Sequence, residues 1–264
     1  CQAVLMSQRA SDASPLAGWT VVSLRPRGQH AGMRSAAARM GARVLALSPL
    51  AIEARGDAAS RKALGEALDA DIVLFTSPNA VRAAAALRRL RRARRQTLLA
   101  VGDGTRRALQ RLGIEAVAPT RMDSEGLLAM PQLQAVDGMR IGLVTAPGGR
   151  NRIGPTLQAR GADLVRADVY QRIPLDITEV RWKALADALA KPQRVVLALS
   201  SAEALDAVLR QRPAKLETSL RRIAVAAASE RLAQVARDAG FRRVAVAADA
   251  RPAALLRAAA DAFV

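Results

Sequence analysis

Short apolar runs recur along this chain, each followed by an alanine-rich stretch with helical spacing, and that rhythm restricts the fold more than any other feature. Trp19 to Leu24 reads as a buried strand, a helix from about Gln29 stops at Gly41, and Arg43 to Leu47 forms the next strand. Strand, helix, strand in this order marks a mostly parallel sheet, because parallel neighbours need a crossover that lays a helix on a sheet face. The rhythm returns with Ile72 to Phe75, a helix through Ala80 to Leu90, Leu98 to Val101, and a helix from Thr105 to Leu112 closed by Gly113. Ile114 to Ala118 reads as a further strand, followed by a short helix capped by Ser124, the strand Arg140 to Val144 and a helix ending at Gly161. The last third repeats the pattern with a helix over Glu179 to Ala190, the strand Val195 to Leu199, a helix from Ala202, the strand Ile223 to Ala227, a helix from Ser229, the strand Arg243 to Val246 and a final helix from Pro252.

A chain of 264 residues sits near the size at which one core stops growing, and the strand count suits two small sheets better than one wide one. Asp163 to Arg172 alternates polar and apolar residues for longer than its neighbours and reads as a strand leaving one domain for another. Leu47 to Ile52 and Val169 to Pro174 both look extended and carry a proline, as two crossings would. The expected fold class is α/β: two small doubly wound parallel-sheet domains joined by a two-stranded connection. Residues 1–49 and 173–264 form the discontinuous first domain, and residues 50–172 are inserted as the second.

Charge narrows the partners. The formal net charge of +18 favours phosphates, nucleic acid, acidic membranes or polycarboxylates, although an arginine- and alanine-rich composition also follows from genome base composition alone. One cysteine, Cys1, and one histidine, His30, leave no disulfide framework and no multi-thiolate metal site, so no metal and no cofactor is expected. No apolar run approaches the roughly 20 residues that cross a bilayer, and Cys1 to Gly18 lacks a signal-peptide core. A cytoplasmic protein without a membrane partner is expected.

In open α/β sheets, ligands bind beyond the carboxyl ends of strands, where helix N-termini present unpaired N–H groups to anions. Here those ends read Thr76-Ser77-Pro78-Asn79, Gly102-Asp103-Gly104-Thr105, Thr145-Ala146-Pro147-Gly148-Gly149-Arg150, Ser200-Ser201 and Ser229. A helix cap explains any one of them locally. Five of one kind across two domains point to a multivalent anion site that needs no metal. Gly102-Asp103-Gly104-Thr105 is not a dinucleotide fingerprint and no Gly-Lys-Ser or Gly-Lys-Thr follows a strand, which removes ATP and NAD. His30 lies in the first helix, where a surface or core role outweighs membership of a triad. The six arginines from Arg88 to Arg95 read as a solvated helix end, because no aromatics interleave them for base stacking, and no nucleic-acid partner is expected. Tyr170, the sole tyrosine, ends the crossing strand, where its phenol either serves as a general acid or packs at the domain junction.

Arg25-Pro26 with Gln29, Phe75-Thr76-Ser77-Pro78-Asn79-Ala80-Val81, and Ala100-Val101-Gly102 leading to Thr105 resemble the uroporphyrinogen-III synthase family. So do Asp123-Ser124-Glu125-Gly126-Leu127-Leu128, Gly148-Gly149-Arg150 and Val169-Tyr170-Gln171-Arg172, and the match runs from Leu24 onward with its poorest stretch at Arg88 to Gln96. The resemblance implies a two-domain monomer with a flexible connection and an active cleft. Its substrate would be hydroxymethylbilane, a linear polycarboxylate. The reaction it implies is loss of the terminal hydroxyl as water, attack through the substituted carbon of the last pyrrole, and reclosure of the spiro intermediate as the type III isomer.

By the same resemblance Tyr170 assists hydroxyl departure, and Ser77, Ser200 or Ser201, and Ser229 bind carboxylates. Arg25, Thr76, Asn79, Gly102, Thr105, Gly149 and Arg150 complete the expected substrate-binding set. Where some members carry a Gly-x-Thr-Thr-like turn, this chain has Ala227-Ala228-Ser229-Glu230-Arg231. A transient contact with the enzyme that supplies the bilane is a further expected partner. The rival readings are a non-catalytic anion- or sugar-binding module and a basic RNA-binding accessory protein.

Overall fold

The apolar runs become strands buried on both faces, as parallel sheets between helix layers require. Val195–Leu199 and Ile72–Phe75 are buried along their whole length. The structure, a computed structural model, describes residues 14–93, 95–148 and 152–264. It divides into two compact units, one holding the described residues up to Ala51 together with Pro174–Val264, the other Ile52–Ile173.

In chain order the first unit opens with β1 (Thr20–Ser23), α1 (Ala31–Arg39) and β2 (Arg43–Ala46), and β3 (Leu50–Ala54) leads out of it. The second unit carries α2 (Ala58–Leu68), β4 (Ile72–Phe75), α3 (Pro78–Leu87), β5 (Thr97–Ala100), α4 (Asp103–Gln110), α5 (Ser124–Leu128), β6 (Arg140–Thr145), α6 (Ile153–Ala159) and β7 (Asp163–Asp168). The chain returns through β8 (Tyr170–Pro174), which pairs with β3, and completes the first unit. That completion consists of α7 (Glu179–Leu189), β9 (Val195–Leu199), α8 (Ala202–Gln211), α9 (Glu217–Arg221), β10 (Ala224–Ala227), α10 (Glu230–Asp238), β11 (Arg243–Val246) and α11 (Pro252–Phe263).

The first-unit sheet is parallel in the order β11-β10-β9-β1-β2, with Val21 opposite both Val44 and Val196. Alternate residues serve opposite faces. Val21, Val196, Ala224 and Ala226 pack with Met33, Leu255 and Leu256, while Val22, Leu197 and Val225 pack with Leu185, Leu205 and Leu232. The second sheet, β5-β4-β6-β7, is built the same way: Val73, Phe75 and Leu98 meet Leu64 and Val81, and Leu74, Leu99 and Ile141 meet Leu127 and Leu157. Here α2 presses onto β6, since a Cβ added to Gly142 would lie 1.9 Å from the Ala67 carbonyl oxygen.

Four local expectations change. α2 was not anticipated; it begins at Asp57, whose carboxylate accepts from the Ser60 N–H at 2.9 Å. Ile114 to Ala118 is not a strand but supplies one bridge, Leu99 to Val117, with Val117 48% exposed. The alternation from Asp163 to Arg172 breaks at Val169, between β7 and β8. The helix cap expected at Ser124 is Asp123, which accepts from the Gly126 N–H at 2.7 Å. Among the described residues no helix is long and apolar enough to cross a membrane.

Candidate functional site

At the carboxyl ends of β4 and β6, two hydroxyl residues meet. Thr76 Oγ1 donates to Thr145 Oγ1 at 2.8 Å. Ser77 caps α3 in extended backbone, its Oγ accepting from the Ala80 N–H at 3.0 Å, with Pro78 in the first turn where a missing N–H costs nothing. The same Oγ lies 3.2 Å from the Tyr170 phenol oxygen. A hydroxyl has one donor and two acceptor positions, so the cap leaves Ser77 free to share a hydrogen with the phenol.

Tyr170 opens β8 and is buried at 3% exposure, its ring set among Val144, Ala146 and Val169. The Arg172 guanidinium stands over that ring at 5.7 Å, and its Nη1 reaches the Pro147 carbonyl at 3.4 Å. Tyr170, Thr76, Ser77, Ser124, Thr145, Arg152, Arg166 and Arg172 help line a cavity of about 180 Å³. Arg166 is fixed in it by Asp168, at 3.1 and 3.2 Å from Nε, and by the Ala146 carbonyl at 3.1 Å. Arg152 is held by Glu125 at 2.7 Å. This cavity offers a phenol, hydroxyls and three anchored guanidiniums, a set suited to holding a carboxylate and delivering a proton. Its size admits one ring or acidic arm of a larger ligand rather than the whole of one.

Other expected residues fall elsewhere. Asn79 accepts from Arg82, whose guanidinium is shifted below its ordinary pKa by burial and next by Arg111. Gly102 caps α4 without a side chain, and Thr105 inside that helix is 2% exposed and does not line the cavity. Gly149 and Arg150 lie outside the described residues.

In the first unit Ser200 and Ser201 follow β9, and Ser229 follows β10. Ser201 accepts from the Ala204 N–H at 3.2 Å and Ser229 from the Leu232 N–H at 3.4 Å, both as helix caps. Arg25 donates to the Ala250 carbonyl at 3.0 Å, while its Nε is buried without a partner among the described residues and burial lowers its pKa.

His30, expected in a surface or core role in the first helix, stands at the N-cap position of α1 without a side-chain cap bond and is 4% exposed, a core role. Its ring bridges Ser23 Oγ at 3.0 Å and Ser48 Oγ at 2.7 Å, and Ser48 is held at φ +42°, uncommon for a residue with a Cβ. Burial first, then Arg34, Arg25 and Arg181, lowers the His30 pKa to about 4, which keeps the ring neutral near pH 7. Sequence reasoning also passed over Ser124, Arg152 and Arg166 as site residues. The one available signal was Arg166 and Asp168 two positions apart, on the same face of β7. Among the described residues no group of three or more His, Cys, Asp or Glu could hold a metal ion.

Residues 32–257 match the family model described as HEM4, uroporphyrinogen-III synthase HemD. The chain is 36% identical over 140 residues to the uroporphyrinogen-III synthase of Escherichia coli strain K12, a match covering 51% of this chain and 54% of that protein. The aligned part thus spans about half the length of the curated relatives. Among solved structures, a mutant uroporphyrinogen III synthase from the extremely thermophilic bacterium Thermus thermophilus superposes with a TM-score of 0.58 at 21% identity, over 91% of this chain and 96% of that one. A uroporphyrinogen-III synthetase from Helicobacter pylori 26695 gives 0.62 at 14% identity, over 92% and 99%. At such identities the likeness establishes the fold, an α/β chain with parallel sheets in two domains.

Proposed function

Since the chain belongs to the uroporphyrinogen-III synthase family, we propose that it is a cyclising hydro-lyase that converts hydroxymethylbilane to uroporphyrinogen III with inversion of the last pyrrole. The observation that carries the reading is the Ser77 and Tyr170 pair, 3.2 Å apart, beside a cavity edged by anchored guanidiniums.

Tyr170 donates its phenolic proton to the terminal hydroxyl as the carbon–oxygen bond breaks, and water departs. The lone pair of the adjacent pyrrole nitrogen supplies the electrons, leaving an azafulvene. The substituted carbon of the last pyrrole attacks it, the spiro ring opens, and the ring closes again through the other carbon. The proton lost from that carbon restores the pyrrole and returns to the phenolate, so the net change is loss of one water. Ser77 orients the phenol by sharing its hydrogen. Arg152, Arg166 and Arg172, already fixed by protein acceptors, bind an acidic arm without reorganising, and positioning with charge stabilisation provides most of the rate.

In the first unit Ser200 or Ser201, and Ser229, present hydroxyls at strand ends of the same type and are assigned to carboxylate binding. The reading extends to a cytoplasmic monomer that takes its unstable substrate from the preceding enzyme. The test is to supply freshly generated hydroxymethylbilane, oxidise the products and separate type I from type III uroporphyrin. Predominant type III is the expected result; only type I, the uncatalysed isomer, would overturn the proposal.

A further inference from the structure

A concavity lies in the first unit, away from the strand ends where the serines stand. It is an open concavity of about 960 Å³ lined by Arg221, Arg222, Arg237, Arg242 and Arg243, with Phe241 among them. Four of these five arginines sit where a strand begins: Arg221 and Arg222 precede β10, and Arg242 and Arg243 enter β11. In a parallel sheet that is the edge opposite the carboxyl ends.

Two of the arginines are built into the wall. Arg221 donates Nη1 to the Ala239 carbonyl and Nη2 to Glu217, each at 2.7 Å. Gly240, at φ +88°, makes room for it, since a Cβ there would fall 2.1 Å from Arg221 Nη1. Arg243 lies over the Phe263 ring at 5.1 Å and reaches the Gln193 carbonyl at 3.5 Å. Arg237 is paired with Glu230 at 2.8 Å. Arg222 and Arg242 are exposed, and no hydrogen bond or ion pair engages either side chain among the described residues.

The one carboxylate in the lining does not oppose an anion. Glu217 is bound by Arg212 at 2.9 Å and Arg221 at 2.7 Å, and these hydrogen bonds, Arg212 first, hold its carboxyl below the usual range. With Arg221 paired to Glu217 and Arg237 to Glu230, the guanidiniums of Arg222, Arg242 and Arg243 leave a positive field over a volume of small-ligand size. Planar forks match phosphate oxygens bidentately.

We propose that this cavity is a second anion site, distinct from the Tyr170 cavity, and that it takes a small oligophosphate, with Arg222 and Arg242 as its free forks and Arg221 and Arg243 as fixed walls. A small ligand is favoured over a nucleic-acid strand because Phe241 is 2% exposed and offers no stacking face.

The test is calorimetric titration of the full chain with tripolyphosphate at constant ionic strength, beside Arg222→Gln/Arg242→Gln. Neither arginine side chain holds a structural bond among the described residues, so the variant should keep the parent melting temperature without ligand. Saturable one-to-one binding, at least about ten-fold weaker in the double variant, is expected. Absence of saturable binding, or equal affinity in parent and variant, would overturn the proposal. So would tighter binding of a single-stranded oligonucleotide than of tripolyphosphate, which would make the cavity part of a nucleic-acid surface.

Discussion

Ser77 in the second unit and Ser201 and Ser229 in the first are the same local device. Each follows a parallel strand in extended backbone and accepts a hydrogen bond from the N–H three residues on, as a helix cap does. They differ in what reaches them across the chain. Ser77 touches the phenol of Tyr170, 93 residues away, beside guanidiniums fixed by Asp168, Glu125 and backbone carbonyls. Among the described residues no side chain bonds to Ser201 or Ser229. The first unit instead spends its buried polar contacts on His30, Ser23 and Ser48, an internal bridge in which the imidazole stays neutral. A capping serine is therefore common to both units, whereas the partner that turns one into a chemical group comes from distant sequence.

Tyr170→Phe tests this contrast most severely. Removing the phenolic oxygen deletes the proton donor while leaving the ring in its core, so turnover should fall by about 10²-fold or more with circular dichroism and melting temperature little changed. Full activity in steady-state assays would reduce Tyr170 to packing and erase the difference between the two strand-end serines.

The pairing of Ser77 with Tyr170 explains what was legible beforehand. Each residue can be singled out from its own neighbours, Ser77 by Pro78 behind it and Tyr170 by its place on a crossing strand, yet nothing local brings them to 3.2 Å. Strands such as Val195–Leu199 are readable because burial on both faces needs an unbroken apolar run. The helix Ala58–Leu68 escaped notice because Ser60, Arg61, Lys62 and Gly65 dilute its apolar stripe, although Asp57 three positions before Ser60 is a capping signal. Ile114 to Ala118 misled in the opposite sense: Ile114 is buried and Ala116 and Ala118 pack against the core, yet the stretch makes a single bridge, at the 48% exposed Val117, and so does not form a strand. The core role of His30 was legible but its partners were not, because Ser23 ends one strand and Ser48 follows another.

The His30 bridge separates the units by pH. An unfolded imidazole titrates near 6.5 and the folded one at about 4, so between these values the unfolded chain binds more protons. Stability from this group is complete above pH 6.5 and is lost as pH falls toward 4, by roughly 2–3 kcal/mol. The melting temperature should decline over that window in the parent, and His30→Gln should flatten the decline. An unchanged pH profile in His30→Gln would mean that carboxylates elsewhere govern acid stability.

The finest distinction is among the serines themselves. Ser77→Ala, Ser201→Ala and Ser229→Ala each remove one cap and should each cost about 1 kcal/mol of stability, read as parallel shifts in denaturant midpoint. Because the structural loss is common to all three, it cancels when their kinetics are compared. Ser77→Ala also frees the Tyr170 phenol, so it should lower kcat by a few-fold. Ser201→Ala and Ser229→Ala remove only proposed carboxylate contacts and should raise KM while leaving kcat near the parent value, as loss of uniform binding does. An equal fall in kcat for all three would show that capping geometry in either unit sets the rate. A change confined to Ser77→Ala would restrict the chemistry to the second unit and withdraw the first-unit serines from the site.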